Sequence, residues 1–471
     1  MEKKNTWETY SSKQLKELEK INAQYRDFLD NGKTERECID TIVNTIEKSG
    51  YRELESLIKE GAALKTGDKV YSVWMNKSIA MFQIGRKPMT DGMNILGAHI
   101  DSPRLDVKQN PLYEDGGFAY LDTHYYGGVK KYQWVTIPLA IHGVIVKKDG
   151  TCVEINIGEN EDDPVFFVSD LLIHLAQEQL EKKAAKVIEG EALDIIVGNK
   201  PLLIDKKDKK KDEKEAGKEA VKAGVLDILK ETYDIHEEDF VSAELEIVPA
   251  GKAREAGFDR SMTLAYGQDD RVCAYTSMQA MLDSDVTDRT MCCILVDKEE
   301  IGSVGATGMQ SHFFENAVAE VMNLAGEYSE LNVRRCLAHS CMLSSDVSSA
   351  FDPTYASSFD KKNVAYLGGG MVINKFTGAR GKSGSNDANA EYLAHLRHIF
   401  DKAEVNFQTA ELGKVDLGGG GTIAYILALY GMNVIDSGVA VLNMHAPWEI
   451  ISKVDLYEAY RGYIAFLKEQ A

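Results

Sequence analysis

The sequence predicts an α/β protein with a main domain built on a mostly parallel sheet, helices on both faces of that sheet, and an inserted β-rich second domain. The main observation is that short apolar runs ending in polar residues alternate with helical segments, a pattern typical of a covered parallel sheet. A middle region of short β-like runs interrupts this alternation. The 471 residues are enough for two domains of ordinary size.

Four apolar runs predict the strands of the main sheet, and they cover residues 94–99, 291–297, 336–343 and 434–443. Helical periodicity between and after them covers residues 271–282, 387–401 and 421–429. An earlier amphipathic segment, residues 11–59, predicts an outer helical layer. The alternation therefore indicates strands that are each followed by a covering helix.

The middle region predicts a domain of its own, with β-like runs at residues 134–147 and 152–157. We place the boundaries so that residues 1–107 and 247–471 form the main domain and residues 108–246 form the insertion. A lysine-rich tract at residues 205–214 lies within the insertion. Because it mixes both charges and has no aromatic residues, we interpret it as a solvated surface loop and not as a contact for a polyanion.

Composition and charge exclude several classes of partner. The formal net charge of -20 argues against nucleic acid, because binding to phosphates depends on lysine and arginine. No stretch of about 18 apolar residues and no secretory signal occurs, so we expect no membrane partner. The seven cysteines form no CxxC pair and are expected to be reduced thiols. These features predict a cytoplasmic protein.

Polar residues of chemical interest follow the predicted strands, where open α/β sheets place their binding crevice. His99 ends the first strand and Asp101 follows it. A carboxylate at this spacing can bond the far imidazole nitrogen and fix the tautomer of a metal-ligating histidine. The alternative is a histidine that only ends a strand.

Two acidic pairs follow later in the chain. Asp269 and Asp270 precede a predicted helix, where aspartates are also common as helix caps. Glu299 and Glu300 follow an apolar strand beside a glycine turn. Adjacent glutamates in such a crevice can have two different roles, because one can coordinate a cation while the other accepts the proton of a metal-activated water.

Asp346 and His445 complete the set, each after a further predicted strand. Two histidines and several carboxylates from separate strand ends make a donor set that suits zinc, cobalt or manganese. One bridging carboxylate can hold two such ions about 3.5 to 4 Å apart. The residues therefore predict metal-assisted hydrolysis.

The sequence also resembles the aspartyl aminopeptidase family, within the clan of co-catalytic dizinc aminopeptidases. The resemblance covers nearly the whole chain and follows the order of the family's motifs. These motifs are GAHIDSPRLDVK, YYGG, the Asp269-Asp270 pair, DKEEIGSVGATG, SSDVSSAFDP, DLGGGGTIAYILA and NMHAPWE. Such a series is highly specific.

The resemblance implies an enzyme that removes N-terminal amino acids from peptides with two zinc ions per subunit. It implies that His99 and His445 are terminal ligands, that Asp269 is the bridging ligand followed by a cis peptide bond, and that Glu300 and Asp346 are the other ligands. It further implies that Glu299 is the general base and that Asp101 orients a histidine.

The family also implies an assembly. Its members dimerise through the inserted domain and form homo-oligomers, up to a tetrahedral dodecamer. His174 matches a histidine that reaches a neighbouring active site, although an isolated histidine on an apolar helix is more often structural. The glycine-rich segment 416–422 lacks the lysine of a phosphate-binding loop. As in the family, Gly419 and Gly420 in this segment are expected to let the backbone approach the bound peptide.

Two departures leave the substrate open. Residues 347–353 lack the histidines that eukaryotic members carry there. A lysine that is thought to hold an acidic substrate side chain in those members aligns with Asn374, while Lys375 is one residue away. An aminopeptidase that prefers neutral or basic N-terminal residues is therefore an alternative. Further alternatives are a broad-specificity dizinc aminopeptidase of the sister family, a metal-dependent deacylase, or a self-assembling scaffold without activity.

Overall fold

The protein has the mixed α/β architecture that the sequence predicts. We describe residues 5–202 and 219–469 of a computed structural model. The described residues form two units: a larger one, which lies within Met1–Ser102, Ala253–Met444 and Trp448–Ala471, and a smaller one, which lies within Pro103–Lys252 and His445–Pro447. The lysine-rich tract at residues 205–214 lies outside the described residues.

The α-helices of the described residues are α1 Ser12–Asp30, α2 Glu35–Lys48, α3 Leu54–Glu60, α4 Gln177–Leu180, α5 Ala184–Val187, α6 Ala220–Tyr233, α7 Gln268–Leu282, α8 Phe313–Leu324, α9 Glu330–His339, α10 Ala390–Lys402, α11 Ala424–Ala428 and α12 Lys453–Lys468.

The strands are β1 Arg52–Glu53, β2 Lys69–Trp74, β3 Ser78–Gln83, β4 Met93–His99, β5 Arg104–Asp115, β6 Phe118–Tyr126, β7 Leu139–Val146, β8 Cys152–Ile157, β9 Ile195–Gly198, β10 Ala243–Pro249, β11 Arg254–Ala256, β12 Met262–Ala265, β13 Thr290–Val296, β14 Cys341–Ser345, β15 Ser348–Ser349, β16 Met371–Asn374, β17 Phe407–Thr409, β18 Asn433–Gly438, β19 Ala440–Leu442 and β20 Glu449–Ser452.

The larger unit is built on a nine-stranded sheet of order β1-β2-β3-β13-β4-β14-β18-β16-β17. Its four central strands, β13, β4, β14 and β18, are parallel to one another. Successive side chains of β4 enter different cores, since Ile95 packs in a cluster with α3, α8, α9 and α11, and Leu96 packs in one with α1, α2, α7, α10 and α12. Helices therefore cover both faces, and the carboxyl ends of the central strands meet at one edge.

A second sheet of the larger unit has the order β11-β12-β20-β19-β15. The smaller unit contains a six-stranded sheet of order β8-β7-β10-β5-β6-β9, in which all neighbouring strands are antiparallel. None of the helices in the described residues is long and apolar enough to span a membrane.

The structure corrects several predicted elements. The predicted strand 336–343 is wrong in its first half, because Cys336 and Leu337 belong to α9 and the strand begins at Cys341. The predicted strand 434–443 is two strands, β18 and β19, which lie in different sheets. The helical segment 11–59 is three helices. Its first break follows Asp30, the end of α1, and Thr34 caps the start of α2 with its side chain. In each case a continuous apolar pattern runs across the boundary between two elements.

Candidate metal centre

The edge formed by the central strands gathers most of the predicted polar residues. His99 is the last residue of β4, Asp346 directly follows β14, and Glu299 begins a short turn after β13. These three strands are parallel neighbours, so their carboxyl ends point the same way. Asp269 reaches the same edge from the first turn of α7.

His99 stands among carboxylates. Its Nε2 atom lies 3.2 Å from Asp269 Oδ1 and 3.9 Å from Asp346 Oδ1. The ligand atoms of these three residues all lie within 4.8 Å of one another. Nε2 is also 3.8 Å from Glu299 Oε2. An imidazole nitrogen and two carboxylate oxygens at this separation form the donor set of a zinc-type site.

Asp269 also belongs to a second group of possible metal ligands, together with Glu300 and His445. The ligand atoms of this group also lie within 4.8 Å of one another. His445 follows β19, which ends at Leu442. Asp269 is thus common to both groups, the position that a bridging carboxylate requires.

Asp101 contacts the histidine and the glutamate turn. His99 Nδ1 lies 3.0 Å from the Asp101 carbonyl oxygen and 3.2 Å from Asp101 Oδ1, which leaves Nε2 facing the other carboxylates. Both carboxylate oxygens of Asp101 also accept backbone N–H groups, from Glu299 and from Glu300, each at 3.1 Å. One residue therefore holds both the imidazole and the turn that carries the glutamate pair.

The backbone of Asp269 is held on both sides. Ser102 Oγ donates to the Asp269 carbonyl oxygen at 2.7 Å, and the Asp269 N–H donates to Glu449 Oε2 at 3.0 Å. The peptide bond between Asp269 and Asp270 is cis, as the family resemblance implied. Asp270 points elsewhere, and its Oδ2 atom accepts the backbone N–H of His99 at 3.4 Å.

The sequence interpretation missed the orienting contact of His445. Its Nδ1 atom lies 3.0 Å from the backbone oxygen of Gly128. A Cβ atom at Gly128 would stand 3.2 Å from that same nitrogen, so the glycine allows the close approach. Gly128 lies in the YYGG motif, which was noted only for its resemblance and carries no side chain that would have drawn attention.

Burial explains the electrostatics of the cluster. Burial raises the pKa of Asp346 well above its usual range, and the charge of Asp270 adds to that rise. Burial likewise raises the pKa of Asp270 well above its usual range. Burial lowers the pKa of His99, but its hydrogen bonds with Asp101 and Asp269 outweigh that effect and raise the pKa overall. A cation placed among these carboxylates would stabilise their charged forms, so the residues fit a metal.

The remaining predicted residues lie outside the two ligand groups. His174 is exposed, in the short turn Ile173–Leu175 of the smaller unit and not on an α-helix. Gly419 has a φ of 122°, and a Cβ atom there would stand 2.3 Å from the backbone of Ala379. The Gly420 N–H donates to the carbonyl oxygen of Thr377 at 3.0 Å. Gly419 is therefore required by the close approach of its loop to the segment around Ala379.

A set of imidazole and carboxylate ligands at the carboxyl edge of a parallel sheet defines a metallohydrolase type of site. Comparisons with known proteins agree with this class. The model of the family described as "Aminopeptidase I zinc metalloprotease (M18)" matches residues 28–467.

A protein of Clostridium acetobutylicum named "Probable M18 family aminopeptidase 1" is 63% identical over 466 residues, which cover 99% of this chain and 98% of that one. The crystal structure of aminopeptidase I from the same organism has a TM-score of 0.90 at 60% identity, covering 100% of both chains. An M18 aminopeptidase structure from Thermotoga maritima has a TM-score of 0.92 at 44% identity, also covering 100% of both.

The chain belongs to the M18 family of zinc metallopeptidases and is an aminopeptidase. A more distant structure, titled as the S. cerevisiae mApe1 dodecamer, shares the fold at 19% identity with a TM-score of 0.74, covering 95% of this chain and 96% of that one.

Gly438 provides a test of how the backbone supports Asp346. A Cβ atom at Gly438 would stand 1.8 Å from the Asp346 carbonyl oxygen. We expect Gly438→Ala to displace the backbone at Asp346, to lower the free energy of unfolding by about 1 to 3 kcal/mol, and to reduce the zinc bound per chain. Urea denaturation and metal analysis measure the two effects.

Gly381→Ala is the matched control, because a Cβ atom there meets nothing within 4 Å. Equal zinc content in Gly438→Ala and in the control would contradict this account of Asp346.

Proposed function

We propose that this M18 enzyme cleaves N-terminal amino acids from peptides with two zinc ions bound in one centre. The proposed ligands are His99, Asp269, Glu300, Asp346 and His445, and the proposed general base is Glu299. The observation that carries the proposal is that the Asp269 carboxylate belongs to both groups of possible ligands. Cobalt or manganese would suit the same donors.

The protein's own part in the reaction centres on Glu299. When bound, the zinc ions supply Lewis acidity that polarises a scissile carbonyl and lowers the pKa of water. The Glu299 side chain is 14% exposed, and its Oε2 atom lies 3.8 Å from His99 Nε2. It is therefore beside the proposed ligands and accessible from the crevice. Oε2 accepts the proton of the attacking water and returns it to the leaving amine nitrogen.

Asp101 is proposed to support this step without touching the substrate. Its contact with His99 Nδ1 keeps Nε2 directed at the centre, and its two backbone contacts hold Glu299 and Glu300 in place. A base fixed in this way needs little reorganisation when the substrate arrives.

The structure gives no support for an acidic substrate preference. Asn374 is buried, and its amide nitrogen lies 3.4 Å from Ser348 Oγ. Lys375 Nζ lies 3.8 Å from Asp387 Oδ1, and both side chains are about half exposed. Because a carboxylate already faces Lys375, a broad N-terminal preference is our second candidate.

Replacement of the proposed base tests the reaction. We expect Glu299→Gln to keep its bound zinc and to lower kcat by about 10² to 10⁴, the usual contribution of acid–base catalysis. Glu320→Gln, at an exposed position on α8, should match the unmodified enzyme. Near-normal turnover by Glu299→Gln would remove Glu299 from this role.

A panel of peptides that differ in the first residue, each with a free and with an acetylated N-terminus, tests the substrate class. We expect the enzyme to release the first residue from free N-termini only, and a chelator to abolish the cleavage. Removal of the acetyl group would favour the deacylase alternative. A protein that cleaves none of the peptides, and whose assembly is the same with and without metal, would favour the scaffold alternative.

We further propose that the chain forms homo-oligomers through its smaller unit and that His174 reaches a neighbouring active site. The supporting observation is that apolar side chains around His174 are exposed, and these are Leu171, Leu172, Ile173, Leu175 and Leu180. Exposed apolar patches of this kind mark interaction surfaces. A tetrahedral dodecamer and a cytoplasmic location stay predictions.

Leu172→Glu tests the oligomer. A charge within the proposed interface should shift the mass measured by light scattering to a smaller species. Leu331→Glu on α9 is the matched control, because Leu331 and Leu172 are both 54% exposed. An unchanged mass for Leu172→Glu would contradict an interface at this segment.

A further inference from the structure

We infer that Glu449 is a positioning residue for the metal centre, and that it acts by holding the backbone of Asp269. The inference rests on the proposed function, because it gives Glu449 a role toward the zinc ions that the centre is proposed to hold. Glu449 is not one of the predicted ligands, and it belongs to neither group of possible metal ligands found in the described residues.

Glu449 contacts the Asp269 segment with its side chain and its backbone. The Oε2 atom accepts the N–H of Asp269 at 3.0 Å. The Glu449 carbonyl oxygen accepts the side-chain amide of Gln268 at 2.7 Å. Glu449 is also paired with Ala265 where β20 meets β12. The end of β12, at Ala265, and the start of α7, at Gln268 and Asp269, are thus tied to one residue of β20.

All of these contacts are shielded from water. Glu449 is 1% exposed, Asp269 is 3% exposed and Gln268 is fully buried. A buried N–H that is left without an acceptor costs free energy, so the Asp269 N–H depends on the Glu449 carboxylate. Asp269 and Asp270 have non-helical backbone angles, so the regular turns of α7 do not hold them in place.

The contact matters for the metal centre because Asp269 belongs to both ligand groups. With Ser102 on its carbonyl oxygen and Glu449 on its N–H, the residue is anchored on both sides of its Cα atom. The carboxylate between these anchors has little freedom. Loss of the Glu449 anchor would therefore misplace a ligand shared by two ions, and both would bind more weakly.

Glu449 and Asp101 have corresponding roles in this arrangement. Asp101 accepts the backbone N–H groups of the glutamate turn, and Glu449 accepts that of the proposed bridging aspartate. Each is buried and is itself outside the proposed ligand set. Partners of metal ligands typically contribute about 10- to 100-fold to metal affinity.

Zinc affinity of the folded protein tests the inference. It is measured by competition with a chromogenic chelator, on the unmodified enzyme, Glu449→Gln and Glu449→Ala. We expect affinity to fall about 10-fold in Glu449→Gln, which keeps a neutral acceptor, and about 100-fold in Glu449→Ala, which keeps none. Thermal melts with and without zinc should show a smaller stabilisation by zinc in the same order.

Glu458→Gln is the matched control. Glu458 is a fully buried glutamate of α12, and its Oε2 atom accepts the backbone N–H of Asn406 at 2.7 Å, so it makes the same kind of contact away from the centre. We expect this variant to bind zinc like the unmodified enzyme even where its metal-free melting temperature falls.

The outcomes separate this inference from the proposed function. Unchanged zinc affinity in both Glu449 variants overturns the inference, as does an equal loss in Glu458→Gln. Should Glu449→Ala fail to fold, the comparison of Glu449→Gln with Glu458→Gln decides. If the unmodified enzyme binds no zinc, or if His99→Ala binds as much as it does, the proposed function itself fails.

Discussion

The crowding of buried carboxylates at one edge of the parallel sheet is the constraint on which the rest of the site depends. Asp269, Asp270 and Asp346 are brought together with His99, and burial raises the pKa of two of these acids well above the usual range. Such a cluster is stable in its charged form only with compensating positive charge. The two divalent cations that we propose for this centre would meet that requirement and would supply Lewis acidity for peptide cleavage.

Residues that are not themselves proposed ligands hold the proposed ligands in position at this edge of the sheet. Asp101 fixes an imidazole and a turn, Gly128 directs His445 through its carbonyl oxygen, and Ser102 holds the backbone of Asp269. The donors are thus held by hydrogen bonds from several different parts of the chain. Because the side chains are already held in place, they need little rearrangement when metal ions bind.

Much of the fold was predictable, because the alternation of apolar strands and amphipathic helices reports directly on a covered parallel sheet. The polar residues at the strand ends were predictable for the same reason, and the family resemblance gave them separate roles. The boundary between α9 and β14 was not predictable from the sequence. The apolar residues on its two sides, Cys336, Leu337, Met342 and Leu343, form a near-continuous apolar pattern that hides the end of the helix and the start of the strand. The contacts of Gly128 and Glu449 join residues far apart in the chain, so no local pattern signals them.

We propose that the carboxylate of Asp269 would be shared by two zinc ions. Anomalous diffraction from crystals of the zinc-loaded enzyme, recorded at the zinc absorption edge, locates each ion. We expect two peaks about 3.5 to 4 Å apart, one on each side of the Asp269 carboxylate. A single peak, or two peaks of which only one contacts Asp269, would contradict this proposal.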